Sequence, residues 1–273
     1  MDIKKGNYYI KDRKKTINWV DLLSRHVGAL DRFLKHLHKN KQEFYSDYVK
    51  ALQKRFHYLI STPISKLEIF SFPKLQEIIR TCDELQKLNL TYVFQLLEIP
   101  ESVSSETIEI SWFNFDKSNA YPFYYRVLVL SELIGKHQTI EYVKNYTDEL
   151  MQTVFEADPQ LDDLDQDWET EYPLEVYDPT DDIRFRLSKG IMGARVDRCI
   201  KNDIMKPLND PELSYVVCCY GEIAHTQAVR PHVVYTRTTS LIQGGPYCDN
   251  CFHDKRYVED VKHPNKEFWE SLS

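Results

Sequence analysis

Residues 241–256 read LIQGGPYCDNCFHDKR, a stretch that sets Cys248 and Cys251 in a C-x-x-C with His253 two positions further on. Thiols at that spacing serve as a metal clamp, a redox couple, or one reactive cysteine with a bystander. If 247–253 is extended, side chains alternate between the two faces of a sheet. Cys248, Asn250 and Phe252 then point one way, and Asp249, Cys251 and His253 the other. Thiols on opposite faces cannot share one zinc ion or form an unstrained bridge. Zinc would need a knuckle here and further ligands, for which Cys218, Cys219 and His225 are the candidates, yet no second close pair has zinc-ribbon spacing. A thioredoxin-like couple opens a helix after a strand, and no such context surrounds this pair.

Three other features carry chemistry. With only eight glycines in the chain, the adjacent Gly244 and Gly245 signal either a tight turn or bare amides on which a ligand's polar group rests. In DPELSYVVCCYGEIAHTQA (210–228), Asp210 is placed to cap a helix and Pro211 to begin it. Helical spacing then gathers Cys218, Glu222 and His225 on one stripe, opposite an apolar arc of Val216, Val217, Tyr220 and Ala224. A thiol, a carboxylate and an imidazole so placed make either a base-assisted nucleophile or a solvated face. Arg237 lies between Thr236 and Thr238 in a β-branched run, and Arg198 stands immediately before Cys199. Either guanidinium can hold a carboxylate in bidentate fashion, or bridge to Glu222 or Asp249.

These residues need elements to hold them. HVVYTRTTSLI (232–242) and YCDNCFH (247–253) read as the two strands of a hairpin turned by Gly244-Gly245-Pro246. GARVDRCIKNDI reads as a strand with its exit. Residues 124–152 form two helices broken near Gly135, and ETIEISWFNF (106–115) alternates as a strand. The first hundred residues are helical: Phe44, Tyr48, Leu52, Phe56 and Leu59 recur at helical spacing, and a second run follows Pro73. Between 156 and 182 stand twelve acids, no base and three prolines, which reads as a solvated insertion. The expected organisation is a mainly helical region over 1–105 and an α+β domain over 106–273.

Composition limits the function classes. A net charge of -7 argues against nucleic acid or an anionic membrane as the main partner. No window reaches eighteen apolar residues, and the basic N-terminus lacks a signal peptide's apolar core. Six cysteines in 273 residues are too few for a disulfide scaffold, so they read as reduced thiols of a cytosolic protein.

Residues 124–146, 193–229 and 233–254 resemble successive blocks of the L-2-amino-thiazoline-4-carboxylic acid hydrolase family. The most specific block is T-R-T-x-x-L-x-x-G-x-x-x-C-D, present as Thr236, Arg237, Thr238, Leu241, Gly244, Cys248 and Asp249. The resemblance covers roughly 120–260. Its G-x-x-x-C hairpin is also similar to that of the 4-vinyl reductase-type ligand-binding domains, which implies an α+β fold with an antiparallel sheet and packed helices. Some of those domains bind zinc through a glutamate and a cysteine upstream of the hairpin cysteine, whereas Tyr235–Ser240 here has neither. Members of the hydrolase family often carry an acid after the first glycine, where this chain has Gly245.

The implied reaction adds water to C2 of a 2-aminothiazoline ring and expels sulfur, giving an N-carbamoyl cysteine. It needs a cation for the carboxylate, a base or nucleophile for the amidine-like carbon, and an acid for the departing sulfur. Arg237 suits the first task with Arg198 as reserve, and Cys199, Thr236, Thr238, Gly244 and Gly245 join them around the substrate. Cys248 is the candidate for attack, with Glu222 or His225 as base and Asp249 orienting an imidazole or the ring's amino group. Water activated by Glu222 alone, with Cys248 only lining the pocket, stays open. The chemistry requires no cofactor; its partner is a small carboxylate, and the scheme admits a homo-oligomer. The competing class is a non-catalytic domain that binds a small molecule, and it would show an apolar cavity with Arg237 as sole anchor. On this reading the C-x-x-C is coincidental, with Cys248 facing a pocket and Cys251 in the core.

Overall fold

The computed structural model describes residues 1–10, 13–61, 73–98, 105–155, 164, 168 and 180–272. In chain order the elements are β1 (Asp2–Asn7), β2 (Lys14–Asn18), α1 (Trp19–Asn40), α2 (Gln42–Leu59), α3 (Pro73–Thr81), α4 (Glu84–Leu97), β3 (Thr107–Ser111), α5 (Trp112–Ile134) and α6 (Lys136–Val154). After them come β4 (Thr180–Ser188), β5 (Ile191–Cys199), α7 (Ile200–Met205), α8 (Pro211–Cys218), α9 (Tyr220–Val229), β6 (Val233–Thr236), β7 (Cys248–Asp254) and α10 (Lys266–Ser271). The fold is α+β. Among the described residues no helix is long and apolar enough to cross a membrane.

The chain divides into two units, Asp12–Tyr142 and Met1–Lys11 with Val143–Ser273. The expected division at 105/106 therefore moves at both ends. The first residues leave the helical region because β1 pairs antiparallel with β4, from Asp2↔Arg186 to Asn7↔Asp181. Its sequence, DIKKGN, has no apolar alternation because neither of its faces is buried: every residue but Gly6 is exposed.

In the helical unit, local signals and burial agree. Asn18 caps α1 by accepting from the amides of Val20 and Asp21, and Asp83 and Gln86 form a reciprocal capping box on α4. The run after Pro73 is thus two helices, parted at Cys82–Asp83 by that cap. Helix α1 buries Trp19, Leu22, Leu23, Leu30, Phe33 and Leu37 on one stripe, and α2 buries Tyr48, Leu52 and Phe56. The alternating stretch at 106–115 is a strand only to Ser111, whose side chain caps α5 and turns the chain into helix. Strands β2 and β3 pair as a two-stranded ribbon.

The other unit is built on a five-stranded antiparallel sheet in the order β1-β4-β5-β7-β6. One face packs Ile183, Phe185 and Cys251 against Tyr247, Trp269 and Leu272. Strand β6 ends at Thr236, so Arg237 follows the strand rather than lying within it, and residues 237–247 form a long connection containing a 3-10 turn at Leu241–Gln243. The tight hairpin at Gly244-Gly245-Pro246 is replaced by this loop, although β6 and β7 do pair, from Val233↔Asp254 to Thr236↔Cys251. The helix expected over 210–228 is two, because Cys219, at φ -112°, interrupts it. Most of the acid-rich stretch, 156–179, lies outside the described residues apart from Leu164 and Trp168.

Candidate functional site

Strand register assembles the second face of the sheet. Across β4, β5 and β7, Asp182 stands opposite Val196 and Val196 opposite Cys248; one step on, Arg184 faces Ala194 and Ala194 faces Asn250. Met192 and Phe252 form the next pair. Residues two apart share a face, so all of these line one cavity of about 630 Å³. Cys199, Cys218, Cys219, Gly221 and Glu222 line it too, with Lys201, Arg230 and Arg237. The break at Cys219 lets two consecutive residues, Cys218 and Cys219, reach the cavity.

At its centre is a polar quartet. Arg237, with only 5% of its side chain exposed, donates through Nε to Asn250 Oδ1 at 2.7 Å and through Nη2 to Glu222 Oε2. Tyr235 donates to the same two acceptors, at 2.8 Å to Asn250 Oδ1 and 3.3 Å to Glu222 Oε2. Burial opposes the charge on Arg237, but the Glu222 carboxylate beside it outweighs that and holds its pKa above the ordinary arginine value. Arg237 Nη1 is buried with no hydrogen-bond partner among the described residues. An orphaned donor of this kind costs about 1–3 kcal/mol, which a ligand oxygen would recover. Glu222 is fixed through Oε2 alone, and Oε1 has no hydrogen-bond partner among the described residues.

The thiols around the quartet are not activated. Cys248 accepts a hydrogen bond from the Leu241 amide at 3.3 Å, yet burial pushes its pKa up to about 11. Burial raises Cys219 as well, and the neighbouring Cys218, Cys199 and Cys248 add to the rise. Both are neutral thiols near pH 7. Cys251 is on the other face, in the core, as the alternation requires. The C-x-x-C therefore cannot clasp one ion, and among the described residues no group of three or more His, Cys, Asp or Glu is arranged to hold a metal.

No family model, curated protein or solved structure matches this chain. The chemistry open to the cavity follows from its own side chains.

Of the residues the sequence singled out, the structure brings Cys248, Glu222, Arg237, Cys199 and Cys218 together in the cavity lining and places Asp249, His225, Arg198, Thr236, Thr238, Gly244 and Gly245 elsewhere. Asp249 is on the core face, where it accepts from the amides of Thr238 and Thr239, the Thr238 hydroxyl and His263 Nε2. Burial works against its charge, but these bonds hold its pKa below the ordinary carboxylate value. Thr236 Oγ1 sits between His253 Nε2 and His263 Nδ1, at 3.1 and 2.8 Å. Asp249, Thr236 and Thr238 thus fasten the 237–247 loop and the C-terminal segment to the sheet. His225 lies edge-to-face with Phe155 at 4.6 Å and is absent from the cavity lining. Its pKa is lowered by burial and by Arg230. Glu222 and His225 stand three residues apart on α9, yet only Glu222 reaches the cavity, while the His225 ring packs against Phe155.

Arg198 is exposed, paired with Asp181 at 3.4 Å and lying over the Tyr9 ring. Gly244 and Gly245 line a separate cavity of about 400 Å³ with Lys206, Asp210 and Ser214. Their amides are committed to the turn, Gly244 N to Leu241 O and Gly245 N to Ser240 O. Gly244 adopts φ +87°, where glycine is favoured.

Sequence reasoning missed Tyr235, Asn250 and Cys219 as members of the site. Asn250 was within reach, since it shares a strand face with Cys248. Tyr235 required the β6–β7 register, and Cys219 required the helix break. Lys201 and Arg230 have no local signal.

Proposed function

We propose that this cavity binds a small carboxylic acid and opens a 2-aminothiazoline-type ring in it by hydrolysis. The observation that carries the proposal is the Arg237–Glu222 pair. One member holds a buried donor with no partner among the described residues, suited to a carboxylate, and the other holds a carboxylate oxygen suited to a proton. In this scheme Arg237 anchors the substrate while Asn250 and Tyr235 fix the geometry of Arg237 and Glu222. Glu222 takes a proton from water as the oxygen adds to C2, and that proton passes to the ring nitrogen. The carbonyl then forms as the C2–S bond breaks, and Glu222 relays the hydroxyl proton to the sulfur. Both hydrogens of water are accounted for, and the product is an N-carbamoyl cysteine-type thiol. Cys248 lines the pocket as a neutral thiol. The six free cysteines suit a reducing cytosol as its setting.

A binding-only reading draws on a different observation, that no imidazole lines the cavity among the described residues. The test is a thiol-release assay with 2-aminothiazoline-4-carboxylate on the wild type, Glu222→Gln and Arg237→Lys, alongside the melting temperature with and without the compound. The hydrolase reading expects wild-type turnover that falls roughly 10²–10⁴-fold in Glu222→Gln, as loss of a general base does, with binding kept. Binding without turnover in the wild type would replace it with the binding-only reading. No binding would overturn both.

A further inference from the structure

We infer that the ligand of this cavity is an elongated acid, longer than a bare ring carboxylate, lying across the strands from Arg237 to the Asp182–Arg184 pair. This rests on the proposed carboxylate anchor at Arg237 and extends it to the rest of the space.

Size is the first argument. A ring acid of the proposed kind has about nine non-hydrogen atoms. Allowing each the volume a water takes in the liquid, about 30 Å³, gives it about 270 Å³ as an upper bound. The cavity is about 630 Å³, more than twice that.

The second argument is the row across the sheet. Arg184 faces Ala194, Ala194 faces Asn250, and Asn250 accepts from Arg237 just beyond the end of β6. Two guanidiniums thus bracket a row whose intervening side chains are an alanine and an asparagine. The ends are three inter-strand steps apart, about 14 Å. Ala194 is half-buried, so its small side chain leaves a trough rather than filling a core. Val196, Met192 and Phe252 flank the trough with apolar surface.

The third argument is the chemistry of the far end. Arg184 donates through Nε and Nη2 to Asp182 Oδ2 at 3.2 and 3.1 Å, so that end presents an acid and a guanidinium together. A group that both donates and accepts, such as a carboxamide, matches that pair better than a second carboxylate does. The ligand class is therefore a carboxylate head, an apolar linker of a few methylenes and an amide-type end.

The experiment compares two probes by calorimetry and thiol release: 2-aminothiazoline-4-carboxylate, and the same compound extended on its exocyclic nitrogen by a five-methylene chain ending in a carboxamide. The extended probe is expected to bind the wild type at least tenfold more tightly than the parent. Ala194→Leu, which fills the trough, removes that advantage and leaves the parent's affinity unchanged. Arg184→Gln does the same from the far end and serves if the leucine variant does not fold. An extended probe no tighter than its parent, with the parent still turned over, overturns the elongated ligand and leaves the hydrolase reading standing. Tight binding of the extended probe without thiol release from either compound does the reverse. If neither probe binds, both readings fall.

Discussion

Replacing Cys248 with alanine separates two ways of opening the ring. An ordinary cysteine with a pKa of about 8.5 is roughly 3% thiolate at pH 7. With burial raising Cys248 to about 11, the thiolate fraction falls to about one in 10⁴. A mechanism that attacked through this sulfur would give up a factor of about 300 before chemistry began. Its rate would climb about tenfold per pH unit from 7 to 10. Attack by water draws on no thiolate and does not share that slope. We therefore expect Cys248→Ala to keep thiol-release turnover within about threefold of wild type, the change expected of lost pocket packing alone. The wild-type rate should stay nearly flat above pH 7. The same reasoning applies without any substrate: peptide mapping after timed iodoacetamide treatment should find Cys248 alkylated at least 100-fold more slowly than free cysteine. Loss of turnover by 10³ or more in the alanine variant, with a wild-type rate rising steeply with pH, would refute the argument and restore the thiol as nucleophile.

Three further outcomes test the fold. His26 is fully buried in the helical unit and its pKa is lowered to about 3 by burial and by Arg126 and Arg25, so below about 6.5 the unfolded chain takes up a proton that the folded one refuses. Stability should fall by up to about 1.4 kcal/mol per pH unit as pH drops from about 6.5 towards 3, and urea titrations of His26→Leu should show a flatter pH dependence than wild type. A Cβ on Gly245 would overlap Thr239 Oγ1 and stand 2.9 Å from Ser240 O; Gly245→Ala should cost about 1–3 kcal/mol. Gly244→Ala, in open space but at φ +87°, should cost about 1–2 kcal/mol, and a melting temperature unchanged from wild type in either variant would contradict this. Asp249→Asn puts an amide that can donate in place of an acceptor with four donors aimed at it, and should destabilise by about 1–3 kcal/mol without changing ligand affinity. A selective loss of affinity would return Asp249 to the site.

The parts of this fold legible in the sequence are those governed by short-range periodicity. Alternation over 247–253 assigned Cys248 and Asn250 to one face and Cys251 to the other, and the α1–α2 stripes and the Asp210–Pro211 helix start follow local rules. The illegible parts depend on partners distant in sequence. Strand β1 has no apolar pattern because neither of its faces is buried. Arg237 looked mid-strand because β-branched residues continue past the last paired position at Thr236. The Cys218–Glu222–His225 stripe holds for its first two members, which both reach the cavity, while His225, on the same helix as Glu222, packs against Phe155, a contact no local rule announces. Asp249 was drawn into the site by adjacency to Cys248, although in a strand adjacent residues face opposite sides.

The placement of β1 has a consequence for how this chain is made. Tyr9 donates its amide to Asp181, 172 positions later, and the whole helical unit is encoded between the strand and its mate. At a ribosomal rate of about 5–20 residues per second, β1 waits on the order of ten to thirty seconds for β4 to emerge. The helical unit, continuous in the chain, is complete before then. The nascent strand stays unpaired throughout, and its adjacent Lys4 and Lys5 are the kind of charged residues that keep such an edge from joining the wrong sheet. Translation order thus makes the β1–β4 pairing wait for the whole helical unit, and β7, translated later still, completes the sheet between β5 and β6.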